Sequence, residues 1–121
     1  MKAYTDLPQS KKLAEFLPLE SADMFWLVSG NTPRVYVLTE PLSNYSHWEN
    51  YHCWSLAALL GVLPSVIKRK NKRMFLTLEK AGAYNLYYKS PDRLDELWET
   101  KEEPIDACVA MIELLHEQKL L

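Results

Sequence analysis

His47, His52 and Cys53 are the one place in the chain where soft ligands gather, and imidazole and thiolate are the groups that zinc favours. A structural zinc site needs four ligands at recognised spacings. The other candidates, Cys108 and His116, stand far along the chain, and Cys108 falls inside an apolar stripe of helical period. The same residues raise a Cys-His nucleophile pair, yet neighbours in sequence do not establish hydrogen-bond geometry, and no segment supplies an oxyanion hole. GxSxG, HExxH and a glycine-rich phosphate loop are all missing. The three glycines are accounted for by turns and a helix end, leaving none to bring the backbone close to a phosphate. Glu99, Glu102 and Glu103 read as a solvated charge run. The sequence therefore predicts no catalytic residue, no metal ligand and no cofactor.

Recognition is a better fit to the residue types present. Tyr45, Trp48 and Tyr51 recur every third residue, with His47 among them, inside a stretch from 39 to 52 that has no sustained period. A loop that long in a compact domain is a place to look for function, and aromatic rings anchor protein interfaces. The second candidate is the basic run of residues 68–73, where Lys68, Arg69 and Lys72 offer charge to phosphates. The formal net charge is −2, so any polyanion would have to be held by that local patch alone. Another protein is the expected partner and nucleic acid the alternative. The oligomeric state is left open.

These residues need a scaffold. A chain of 121 residues, 48% hydrophobic and 25% charged, is of ordinary size and composition for one domain, taken as residues 1–121. Cys53 and Cys108 sit beside apolar residues without ligand spacing and are expected to be free core thiols. The N-terminus lacks the apolar run of a secretory signal and no stretch is long enough to cross a bilayer, so a cytoplasmic location is expected.

The organising stretch is residues 53–64, the most apolar window of the sequence. Ser55 can cap a helix there, Leu56, Leu59, Leu60 and Leu63 recur at helical spacing, Gly61 suits a left-handed stop and Pro64 forbids continuation. Ahead of it, Thr5 or Asp6 can cap a helix with Pro8 in its opening turn and Gln9 three residues after Asp6, where a capping box needs it; the stripe is Leu13, Phe16 and Leu17, ended by Pro18. Residues 24–28 and 34–38 read as strands joined at Gly30 or Asn31, one of which takes positive φ. After the basic run, taken as a connector, residues 74–78 and 84–89 form a second hairpin, with Tyr84, Leu86 and Tyr88 on the core face. Ser90, Pro91 and Asp92 read as the start of a short helix carrying Leu94, Leu97 and Trp98, in preference to an edge strand. The last helix opens at Pro104 and buries Ile105, Cys108, Val109, Ile112 and Leu115.

The order predicts an α+β fold, a two-layer sandwich of about four mainly antiparallel strands in two hairpins with helices on one face. Leu56, Leu59, Leu60, Ile112 and Leu115 would meet Phe25, Leu27, Leu76 and Leu86.

Residues 9–13, 21–26, 53–60 and 104–112 together resemble a family of small uncharacterised proteins encoded by bacterial prophages and conjugative elements. The resemblance leaves out residues 39–50 and 68–100. That family carries no assigned activity, cofactor or catalytic residue. The resemblance implies a non-enzymatic accessory protein of a mobile element, with the matched segments acting as folding determinants and specificity left to the aromatic segment and the basic run.

Overall fold

The computed structural model describes residues 1–30 and 32–121. Its contacts divide the chain into two units, one of Ala3–Ala58 and one of Met1–Lys2 with Leu59–Leu121. The fold is α+β, with three α-helices and two antiparallel sheets among the described residues.

In the N-terminal unit, helix α1 (Leu7–Leu13) opens on the expected capping box. The Asp6 carboxylate accepts from the Gln9 amide at 2.8 Å and the Gln9 side chain accepts from the Asp6 amide at 3.0 Å. The helix ends four residues earlier than its stripe suggested. Residues 14–16 tighten into a turn, and the Leu17 amide still donates to the Leu13 carbonyl at 2.9 Å, so both leucines are buried without a further helical turn. Strands β1 (Met24–Ser29) and β2 (Thr32–Val37) form the first expected hairpin. Gly30 has φ 63°; Asn31, the other candidate for positive φ, lies outside the described residues.

The 39–52 segment is not a loop throughout. It holds a 3-10 turn (Leu42–Tyr45) and a third strand, β3 (Glu49–Cys53), which pairs antiparallel with β1 and gives the order β2-β1-β3. Helix α1 packs against β3. An extended N-terminal segment closes the unit: the Thr5 amide donates to the Trp54 carbonyl at 2.9 Å, and Tyr4 bridges to Ser55.

Helix α2 (Leu56–Val62) begins in this unit and ends in the next, since the division falls between Ala58 and Leu59. Ser55 caps it as expected, its hydroxyl accepting from the Ala58 amide at 3.1 Å. Gly61 does not terminate it. The helix runs one residue beyond, Gly61 has no positive φ, and the Leu63 amide donates to the Leu59 carbonyl at 3.1 Å. Within the stripe Leu59 and Leu63 are buried, whereas Leu56 and Leu60 are half-buried.

The C-terminal unit carries a four-stranded sheet in the order β4-β5-β6-β7. Its strands are β4 (Val66–Arg69), β5 (Lys72–Ala81), β6 (Ala83–Lys89) and β7 (Glu96–Lys101). The basic run, expected as a connector, is the β4–β5 hairpin. Lys70 and Asn71 sit at its tip with φ of 52° and 63°, the pair of positive values a type I′ turn needs to match the strand twist. The expected helix over residues 90–98 is instead a turn leading into an edge strand. Arg93 has φ 62°, Leu94 is exposed, and Leu97 and Trp98 point to opposite sides of β7 opposite Tyr88 and Tyr87. Among the described residues, seven strands in two sheets therefore replace the expected four.

Helix α3 (Pro104–Glu117) packs against β6 and β7. Its whole stripe, Ile105, Cys108, Val109, Ile112 and Leu115, is buried together with Met111, and the sheet face of Met74, Leu86 and Tyr88 is buried as well. Tyr88 stays satisfied inside because its hydroxyl donates to the Pro64 carbonyl at 2.6 Å. Among the described residues no helix is long and apolar enough to cross a membrane.

Candidate interaction surface

Side chains alternate across a strand, so the register of β2-β1-β3 sorts the N-terminal sheet into two faces. One carries Met24, Trp26 and Val28 with Tyr51 and Cys53. This face is closed by the N-terminal segment and α1: the Trp26 indole donates to the Thr5 carbonyl at 3.1 Å, and the Lys11 ammonium stands 4.7 Å over the Tyr51 ring. The other face carries Phe25, Leu27 and Ser29, beside Tyr36, Arg34 and Thr32 on one flank and His52 and Asn50 on the other. That face is open.

Two adjoining hollows mark it. The first, about 420 Å³, is lined by Leu27, Ser29, Thr32, Arg34, Tyr36 and Trp48. The second, about 310 Å³, shares Leu27 and Tyr36 and is completed by Phe25, Val37, Thr39 and Tyr45. Phe25 is the floor of the second, with the Tyr36 ring stacked at 5.6 Å and the Tyr45 ring tilted at 4.9 Å. Trp48 is 51% exposed and Tyr36 44%.

The rings are held in place by the 3-10 turn and its anchors. The Asn50 side chain donates to the carbonyls of Tyr45 and Trp48, each at 3.0 Å, and the Trp48 amide donates to the Tyr45 carbonyl at 2.9 Å. The Tyr45 hydroxyl donates to Glu40 at 2.5 Å, and Asn44 donates to the other Glu40 oxygen at 3.1 Å. Those two bonds, Tyr45's first, hold the Glu40 carboxyl below its usual value, and the same contact pushes the Tyr45 phenol up. Burial lowers the His52 imidazole, which favours its neutral form. Arg34 makes no ion pair among the described residues and leaves a positive charge at the rim of the larger hollow.

The aromatic residues singled out in the sequence are thus divided. Tyr45 and Trp48 reach the open face, His47 lies exposed in the turn between them, and Tyr51 lies on the opposite face, where Lys11 covers it. Spacing by three had grouped all the rings, but Tyr51 belongs to a strand, whose period is two. Arg34 and Tyr36 were read only as strand residues, and Phe25 and Leu27 as strand residues meeting the helices, whereas they line the two hollows. The alternation of β2 was the signal available for Arg34 and Tyr36, once β2 is known to be an edge.

The basic trio divides similarly. Arg69 and Lys72 form one cross-strand pair and turn toward the acidic 90–96 segment, Arg69 to Asp95 at 3.8 Å and Lys72 to Asp92 at 3.0 Å. Lys68 faces the other way, opposite Arg73. That side of the four-stranded sheet also presents Phe75, the stacked rings of Tyr87 and Trp98 with centroids 4.5 Å apart, and Lys89 within 5.5 Å of Tyr87.

Neither soft-ligand reading gains a partner set from the geometry. His47 is exposed, His52 is half-buried and Cys53 is sealed, its thiol 3.4 Å from the Thr5 hydroxyl and pushed up mainly by burial. Among the described residues no group of three or more His, Cys, Asp and Glu side chains is placed to hold a metal ion. Cys53 and Cys108 are both free and buried. Comparison of the chain with protein-family models, with curated proteins and with solved structures finds no match.

Proposed function

We propose that this chain is a non-enzymatic interaction module that binds another protein through the open face of the β2-β1-β3 sheet, in the mobile-element setting that its sequence resemblance implies. The observation behind this reading is the pair of adjoining hollows, joined through Leu27 and Tyr36 and overlooked by a half-exposed Trp48. The Tyr45 ring, bonded to Glu40 and packed on Phe25, has already lost most of its freedom, so covering it costs little entropy. Tryptophan, tyrosine and arginine together at one concavity are the residue types that dominate binding energy at interfaces.

The test is an affinity pull-down at low salt with the full chain and its Trp48→Ala variant, scored for protein and nucleic acid together. With Trp48 half exposed, the variant should lose no more than about 1 kcal/mol of stability, while proteins captured by the parent chain disappear. A large stability loss, or an unchanged set of captured proteins, would contradict the reading.

A second reading rests on the four-stranded sheet. Lys68, Arg73 and Lys89 share its open side with Phe75, Tyr87 and Trp98, a mixture of charge and π-faces suited to single-stranded nucleic acid. Glu79 and Glu96 lie on the same side, and Lys89 already contacts Glu96 at 3.8 Å, which weakens the local field. Nucleic acid recovered by both proteins and released by moderate salt would favour this reading.

A further inference from the structure

We infer that the outer edge of β2 receives an extended acidic peptide as an additional antiparallel strand, with the peptide's side chains reaching the two hollows. The inference rests on the proposed protein-binding role of this face and specifies the partner's chemistry.

The backbone carries the first part of the argument. The Leu38 amide donates to the Asp23 carbonyl at 3.0 Å, and the register places Met24 opposite Val37. Asp23 and Leu38 are therefore a hydrogen-bonded pair, and in an antiparallel ladder such pairs alternate with non-bonded ones. Tyr36, Arg34 and Thr32 consequently turn their amides and carbonyls toward β1. Val37, Val35 and Pro33 turn theirs outward, where β2 has no neighbouring strand among the described residues. Proline occupies an outward position, where its missing N–H breaks no bond of the sheet.

Sheet edges are usually blunted by charge, bulges or cover. Here Pro33 and Arg34 guard only one end. Val35, Tyr36 and Val37 follow as an apolar run, with Val37 65% exposed. The free amides and carbonyls of Val35 and Val37 can bond an incoming strand, which is the backbone component of recognition by strand addition.

The side chains select the occupant. Peptide residues opposite Arg34 and Tyr36 would project on the side of Phe25 and Leu27, next to the hollows. Arg34 has no carboxylate of its own among the described residues, so a carboxylate opposite it completes a cross-strand ion pair. A large apolar side chain opposite Tyr36 would cover the hollow formed with Phe25 and Tyr45. Because the added strand runs antiparallel, the motif reads apolar, any residue, acidic from its N-terminus. A second copy of this chain fits less well. Pairing about Tyr36 would set Arg34 against Leu38 of the other copy and leave its charge unanswered.

The experiment selects from a library of random twelve-residue peptides on the full chain, then measures the enriched consensus peptide by fluorescence anisotropy. The expected consensus carries the apolar-any-acidic motif. Arg34→Glu should weaken it about tenfold or more and favour a counterpart with lysine in place of the acid. Val37→Pro removes an outward N–H without touching the bonds to β1 and should weaken binding to a similar degree. A consensus peptide N-methylated at the residues flanking the one opposite Tyr36 asks the same of the unaltered protein and should also fail to bind.

Absence of any consensus, a consensus without the acid, or binding that survives both Val37→Pro and N-methylation would overturn the inference. So would a dimer in sedimentation that Val37→Pro dissociates, because the edge would then belong to a second copy. If Trp48→Ala abolishes partner capture while Val37→Pro and Arg34→Glu leave it intact, the open face still binds protein and the edge inference alone fails.

Discussion

Thr5 shows how much one buried hydroxyl can organise. It is fully buried, shares a 2.7 Å hydrogen bond with Ser10, accepts from the Trp54 amide at 3.1 Å and lies 3.4 Å from the Cys53 thiol. Its backbone is also engaged, accepting from the Trp26 indole. Removing the hydroxyl at constant shape leaves the Trp54 amide without its partner inside the core and leaves the Ser10 hydroxyl only the Thr5 carbonyl at 3.5 Å. Thr5→Val should therefore cost about 1–3 kcal/mol in urea denaturation, and Thr5→Ser, which keeps the oxygen, should cost less. A Thr5→Val loss near zero beside a larger Thr5→Ser loss would show that the methyl group matters and the hydroxyl does not. The sequence offered Thr5 only as an alternative cap to Asp6, because a long-range partner for a threonine has no local signature. At the candidate site the same limit applied in reverse. Tyr45 and Trp48 could be read as recognition residues from an aperiodic aromatic stretch, whereas Arg34 and Tyr36 could not, since their exposure depends on β2 being an edge.

At the scale of elements, legibility followed local signals. The capping box of α1, the apolar stripe of α3 and the two hairpins closed by Gly30 and Gly82 are encoded within a few residues of where they form. Strands β3, β4 and β7 were missed because each is short and at least half polar, and each exists through a partner elsewhere: β3 against β1, β4 against β5, β7 against β6. Trp98 illustrates the point. Its spacing from Leu94 suggested a helix, and stacking on Tyr87 across the ladder favours a strand instead. Gly61 was misread for a related reason. Glycine permits a left-handed stop but does not impose one, and α2 continues through it. A methyl group added at Gly61 would meet nothing within 4 Å, and the residue is exposed with no positive φ. Gly61→Ala should therefore stabilise the protein by about 0.5–1 kcal/mol, through helix propensity and a less flexible unfolded chain. A rise in the urea midpoint with unchanged m-value is the expected result, and a fall would place Gly61 outside a helix.

On the scale of the whole molecule, each unit seals at least one weak acid in its neutral form, which ties stability to alkaline pH. Burial pushes the Cys108 thiol from 9.0 to about 12, and burial likewise raises the Cys53 thiol and the Tyr88 phenol. In the unfolded chain these groups lose their protons at ordinary values, so above pH 9.0 the folded state holds more protons than the unfolded one. The Cys108 contribution is intact below that point and is lost as pH rises toward about 12, and those of Cys53 and Tyr88 decline in the same direction. Each such group steepens the decline by up to about 1.4 kcal/mol per pH unit. Asp92 acts at the other end of the scale. The Ser90 hydroxyl first, then the Leu94 amide and Lys72, hold its carboxyl well below the usual range, so its contribution is present above 3.8 and disappears in acid. The alkaline decline can be assigned to a residue. Cys108→Ala should be less stable at neutral pH, since it leaves a small void in the face that α3 buries, but it removes one titrating group. Its stability should then fall less steeply between pH 9 and 11, so that urea denaturation at successive pH values brings the parent and variant curves together. Parallel curves would mean that the Cys108 thiol ionises as readily in the folded protein as in the unfolded chain, and that the seal around α3 is open to water.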